Sequence, residues 1–289
     1  MAYFKRDNKF LVCIDSDGCA FDAMEIKHKE CFTPNFIATW GLQSISKYAR
    51  ETWEFVNLYS RWRGVNRFPA LIKAFDFLSK RKVVKNRGFI VPDLQPVKDW
   101  LATESKPGNP ALEKAIERNP DEILIRALEW SRAVNEDIKR IVHGVPPFPF
   151  VRESITKLSQ HADAVVMSAT PIEALEREWE EHDLKRYMKF IFGQEHGTKA
   201  ECIRISVTSG EYENCNVLMI GDAIGDLEAA RENNVRFYPI IPGREEQSWE
   251  KFYREELDKF INSAYTEEHE KELVDEFFKC LPEVPSWKE

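Results

Sequence analysis

Apolar positions along the chain follow two regimes. From Phe10 to Ile14 the run FLVCI is unbroken, and it stops abruptly at Asp15, Ser16, Asp17 and Gly18. An apolar run that ends in acid, acid and glycine predicts a buried strand delivering two carboxylates into a tight turn. From Met24 to His143 the apolar residues recur at helical spacing, broken at prolines and glycines. One predicted helix is capped by Ser44 and buries Ile45, Tyr48, Thr52, Phe55, Val56 and Tyr59. The next carries Pro69 in its first turn, with Leu71, Ile72, Phe75 and Leu78 inward. Further starts fall at Pro96 and Pro110, and a long helix runs from about Asp121 through Leu124, Leu128, Ile138 and Ile141 to Gly144. The prolines of GVPPFPF, residues 144 to 150, predict a stiff return.

Beyond that return, strand and helix alternate, as a parallel sheet requires. Residues 152 to 160 read as a helix and DAVVMSATP, 163 to 171, as a strand whose exit holds Ser168 and Thr170. Thr170, Pro171 and Glu173 sit at the offsets of a helix cap, a first-turn proline and a capping-box acid. A short strand is predicted at 189 to 192, then a helix opened by Thr198 with Glu201. NVLMIGDAIGDLEAA, 216 to 230, repeats the opening theme of apolar strand, glycine and acid, with a second acid four residues on. Val235 to Ile241 reads as another strand, and Ser248 to Phe278 as mostly helical and polar.

Composition narrows the possibilities. The 289 residues suggest two domains or one domain with a large insertion. A formal charge of -8 argues against nucleic acid as the main partner, since phosphate backbones need a basic footprint. Residues 244 to 289 hold 14 acids and 7 bases, which accounts for most of that charge. Residues 61 to 87 run the other way, with nine bases against Asp76 alone. Such a patch could steer an anionic substrate, or be a solvated helix end. Six cysteines show no paired spacing, which fits a reduced cytoplasmic setting. The first residues lack an apolar signal core, and no run is long enough to span a bilayer.

The candidate chemistry lies at the strand ends. Asp15 and Asp17 alternate along one strand exit and can share a face. Two like charges so placed favour a hard divalent cation between them, Mg²⁺ by preference. Ser168 follows the second strand, Lys199 opens a helix after the third, and Asp222 and Asp226 follow the fourth.

These four segments are similar to the motifs of the haloacid dehalogenase-like hydrolase superfamily: DSDG as motif I, Ser168 of VVMSAT as motif II, Lys199 of GTKAE as motif III and GDAIGD as motif IV. The resemblance covers roughly residues 9 to 22 and 149 to 242. It implies an α/β fold with a Rossmann-like parallel-sheet core, an inserted helical cap of the C1 type and a helical C-terminal extension. The expected divisions are 1–22 with 149–245 as catalytic core, 23–148 as cap and 246–289 as extension. The resemblance further implies a phosphatase, with Asp15 as nucleophile and Asp17 as general acid and then base. Ser168, Ala169 and Lys199 would hold the phosphoryl oxygens. Mg²⁺ would be held by Asp15, the Asp17 carbonyl and Asp222, with Asp226 in support. RGVNRF, 63 to 68, is similar over Gly64, Val65 and Arg67 to the specificity loop of β-phosphoglucomutase-like relatives, implying substrate contact by Arg67. Asp17 favours phosphoryl transfer over dehalogenation, because an alkoxide leaving group needs a proton. The expected substrate is a small phosphorylated metabolite. The alternatives are a phosphosugar mutase, a phosphonate hydrolase and a non-enzymatic binder of a phosphometabolite.

Overall fold

A computed structural model describes residues 5–287; the parts of the predicted core segment and extension at residues 1–4 and 288–289 lie outside these described residues. The chain forms two units. One gathers the residues up to Met24 with Gly144–Leu281, and the other gathers Glu25–His143 with the residues from Pro282 onward.

The first unit is built on a five-stranded sheet: β1 Phe10–Ile14, β2 Ala162–Met167, β3 Phe190–Phe192, β4 Val217–Gly221 and β5 Arg236–Pro239. Its order is β3-β2-β1-β4-β5, and every pair is parallel. A strand with neighbours on both sides and helices on both faces has no solvated side, so β1 is apolar throughout. Its residues alternate between two cores. Val12 and Ile14 pack with Val166 and Ile220 on one face, while Leu11 and Cys13 pack with Val165 and Met219 on the other.

Helices Val151–Leu158 and Ile172–Glu181 cover the first face, and Lys199–Gly210 and Ile224–Glu232 the second. The segment read as polar and helical from Ser248 to Phe278 is helical, but it is also part of both cores. Trp249, Phe252 and Leu257 pack on one face, and Val274 and Phe277 on the other. Chain order places β1 in the middle: the chain builds outward through β2 and β3, then jumps back across β1 to β4. That reversal makes a topological switch point at the carboxyl ends of β1 and β4, the place where open α/β sheets bind ligands.

The second unit is helical, with Ser46–Leu58, Arg67–Lys80, Gln95–Thr103, Asn109–Arg118 and Glu122–Ile141 as its longer elements. Pro96 and Pro110 stand in the first turns of their helices, and Asp121 caps the last by accepting from the N–H groups of Ile123 and Leu124. Ser44 does not cap. It lies inside a 3₁₀ turn, Gln43–Ile45, and its carbonyl accepts from Arg87. Tyr59, expected inward, is half in solvent with its hydroxyl on Glu25, and Trp53 takes the centre of the core with Trp130 and Phe36. Trp287 belongs to this unit. Its ring meets Phe55 and Phe77 edge-on, and the Arg81 guanidinium lies 4.3 Å from its centroid.

Candidate active site

The backbone carries the site residues one step past the strand ends. Asp15 N–H extends the ladder to the carbonyl of Ile220 at 3.0 Å, and Ser168 N–H reaches the carbonyl of Phe192 at 3.0 Å. Asp222 follows Gly221, whose carbonyl accepts from Ile240. Asp15, Ser168 and Asp222 therefore line one edge of the sheet, and all three are buried. Gly18, at φ 79°, turns the chain away from motif I and donates to the Phe21 carbonyl at 2.8 Å. That positive φ suits glycine and few other residues.

Asp226 is drawn into the same group. One of its oxygens accepts from Ala223 N–H at 3.1 Å, and the carboxylate lies so close over Gly221 that an added Cβ would come within 2.4 Å of it. Glycine at 221 is thus the condition for a carboxylate at 226 to reach the strand end. Among the described residues, Asp15, Asp222 and Asp226 form a buried group whose potential ligand atoms all lie within 4.8 Å of one another. Lys199 enters from the first turn of its helix, whose capping box of Thr198 and Glu201 forms as the spacing predicts. Its Nζ stands 2.9 Å from Asp15 Oδ1 and 2.5 Å from Asp226 Oδ1.

The electrostatics follow from that packing. Burial raises Asp15 well above the usual carboxylate range; Lys199 pulls it down, while Asp226 and Asp222 push it up. Asp226 is also raised, chiefly by burial. Burial opposes the Lys199 charge, but Asp15 and Asp226 outweigh it and keep the amine protonated. Three carboxylates facing one ammonium are short of positive charge when all are ionised. Three carboxylates that each bring an oxygen within 4.8 Å of the others are donors for a hard divalent ion, so these residues fit Mg²⁺.

Asp17 is less enclosed than Asp15, and its Oδ2 accepts from Thr170 Oγ1 at 2.7 Å. Ala169, between Ser168 and Thr170, is exposed and has only its main chain to offer a ligand. Arg67 belongs to the other unit. There its Nη1 donates to the carbonyl and hydroxyl of Ser131 and to Asn135 Oδ1, at 2.7 to 3.1 Å, and its guanidinium rests over Phe32. Burial lowers it to about 10. The basic segment around it is largely taken up inside its own unit. Arg63 is buried and donates to the Leu58 carbonyl, Arg81 is buried against Glu51, and Arg61 pairs with Glu283. Cys13 and Cys19, beside the acidic turn, are fully buried and burial pushes both thiols up, as for interior residues.

Sequence reasoning missed two partners of motif I. Ser16, between the two acids, accepts from Trp179 Nε1 at 2.9 Å and donates to Glu178 at 3.0 Å. A small hydroxyl residue between the two acids, with a Glu-Trp pair at 178 and 179 on a later predicted helix, was the available signal. The other is Thr170. It was read as the cap of the following helix, yet that helix starts at Ile172 with no side-chain cap from Thr170, and Ile172 N–H is met instead by Glu195 Oε2 at 3.1 Å.

Comparison with known proteins agrees with the fold. The class defined by the fold is a parallel α/β protein with acids at the sheet's switch point. The family model described as haloacid dehalogenase-like hydrolase matches residues 98–240. A haloacid dehalogenase-like protein from Bacteroides fragilis is similar at 13% identity with a TM-score of 0.51, over 83% of this chain and 92% of that one. One from Xanthomonas campestris is similar at 14% identity with a TM-score of 0.49, over 90% and 96%. No curated protein matches the sequence. Over residues 98–240 the chain matches the haloacid dehalogenase-like hydrolases, which supports an enzyme of that class.

Proposed function

We propose that this hydrolase is a Mg²⁺-dependent phosphatase that cleaves a small phosphorylated metabolite through an aspartyl-phosphate on Asp15. The observation that carries the reading is the Lys199 ammonium held between Asp15 and Asp226, beside Asp222, at the carboxyl edge of the sheet. Phosphoryl transfer asks little covalent chemistry of a protein and much positioning and charge neutralisation. A carboxylate can attack without first losing a proton to a base, provided that it is kept ionised. Lys199 favours the ionised form of Asp15 against the burial that opposes it, and it presents positive charge to the phosphoryl oxygens, with Ser168 and the main chain at Ala169 as further contacts.

The residues that would hold Mg²⁺ are Asp15, the carbonyl of Asp17, Asp222 and, in support, Asp226. Bound there, the ion would neutralise charge shared by nucleophile and phosphate. An Asp15 oxygen forms the bond to phosphorus as the ester P–O bond breaks, and Asp17 gives a proton to the departing alkoxide. Water then attacks the phosphorus, Asp17 takes its proton, and Asp15 and inorganic phosphate are released. The cytoplasm is the setting we assign, because all six cysteines are free thiols.

The test is release of inorganic phosphate from a panel of phosphosugars, nucleotides and small phosphoacids, with and without Mg²⁺, in water enriched in ¹⁸O. Hydrolysis puts solvent oxygen into the phosphate. A phosphosugar mutase would instead return the phosphoryl group to a second hydroxyl, and a binding protein would release none.

A further inference from the structure

We propose that Thr170 is the positioning residue for Asp17, holding the acid/base carboxyl in its working orientation; this rests on the reading of Asp17 given above. The Thr170 hydroxyl donates to Asp17 Oδ2 at 2.7 Å, across from the exit of β2 to the exit of β1, its neighbour in the sheet. A hydroxyl can only act as a fixed post if its own main chain is fixed. The Thr170 carbonyl accepts from Gln194 N–H at 3.1 Å, its N–H donates to Ser168 Oγ at 3.3 Å, and Pro171 restricts the backbone before it.

The hydroxyl is also spared its expected duty. A threonine just before a helix ordinarily spends its oxygen on the helix's first N–H groups. Here Glu195, from the loop after β3, takes Ile172 N–H. That leaves the Thr170 hydroxyl for Asp17. An aspartate on a turn has two rotatable bonds, and a donor fixed on one oxygen selects one of its orientations. Because the hydroxyl donates to Oδ2, that oxygen is held as an acceptor and the plane of the carboxyl is set by the bond.

Thr170→Val keeps the shape and removes the donor; Thr170→Ser keeps the donor. With an alkyl phosphate, Thr170→Val is expected to lower kcat about 10- to 100-fold with KM within about twofold, the scale of a misplaced acid/base. With p-nitrophenyl phosphate, whose leaving group hardly needs a proton, first-turnover release of nitrophenolate should stay within about threefold of wild type. Thr170→Ser should recover most of the lost kcat. In an Asp17→Asn background, Thr170→Val should cost nothing more. A rise in KM without loss of kcat, equal slowing of both esters, a serine variant no better than valine, or a full additional loss on top of Asp17→Asn would each overturn the proposal. Full alkyl-ester turnover in Asp17→Asn alone would instead remove the acid/base reading beneath it. Thermal melts of all variants accompany the kinetics, and the serine variant supplies the comparison if valine unfolds the loop.

Discussion

Lys199 in the first unit and Arg81 in the second are both cations drawn in from solvent, and they are compensated in opposite ways. Arg81 is buried, bonded to Glu51 at 2.8 Å, packed on Tyr48 and Trp287, and its charge is matched one to one. Lys199 faces two carboxylates directly, with a third beside them, so that its site remains negative overall when all are ionised. A matched buried pair holds a structure together, whereas an unmatched cluster at a sheet edge is poised to take up charge from outside. On the proposed function, the contrast separates a framework cation from a working one.

The largest expected effect is on the cluster's proposed nucleophile. Asp15→Asn should lower turnover by about four orders of magnitude or more and abolish the phosphoenzyme seen by mass spectrometry, as for a residue in a covalent catalytic unit. Residual turnover near wild type would end the comparison on the side of an ordinary buried acid. Chelation should come next. EDTA is expected to bring phosphate release to background, and Mg²⁺ to restore it.

Metal should also act on stability, with a definite sign. Asp15 and Asp226 lie above their ordinary values, so the folded chain without metal holds their protons more tightly than the unfolded chain does. Stability from these groups is therefore full below roughly pH 4, the unfolded value, and declines as pH rises toward the raised folded values. Mg²⁺ should then raise Tm more at pH 8 than at pH 5, because at the lower pH it competes with protons. An equal shift at both would argue against binding at the carboxylates.

Lys199→Met should lower kcat by about 10²- to 10³-fold, the cost of removing one preorganised positive group. Arg81→Met is the matched control and the smallest effect on chemistry. It should destabilise the helical unit by about 2 kcal/mol, below the usual cost of breaking a fully buried pair because Glu51 is partly solvated, and change kcat less than about threefold. If Arg81→Met slowed turnover as much as Lys199→Met does, the division between framework and working cations would fail.

Much of the site was legible because its signals are local. Strand, acid and glycine are adjacent in DSDG and in GDAIGD, and Thr198 with Glu201 marks a helix start from spacing alone. Other features were not legible because they depend on partners far along the chain. The offsets around Thr170 were right for a helix cap, but Glu195, supplied by the sheet's next connection, displaced it. Ser44 had the right residue type for a cap, and the chain used it in a 3₁₀ turn instead. The nine bases from Arg61 to Arg87 read as a patch in one dimension, yet Arg63, Arg67 and Arg81 turn toward partners inside their own unit.

What the sequence determined by itself is the alternation of strand and helix, the interruption by a helical module, and the acids and lysine at the strand exits. Each is written within a few residues, where backbone period and side-chain type decide. Only the tertiary structure decided which charges stay matched. It set Lys199 between Asp15 and Asp226, sent the Thr170 hydroxyl to Asp17, and placed Trp287 on Arg81. Those pairings join residues 27 to more than 200 positions apart, and only packing brings such residues within hydrogen-bonding or van der Waals range.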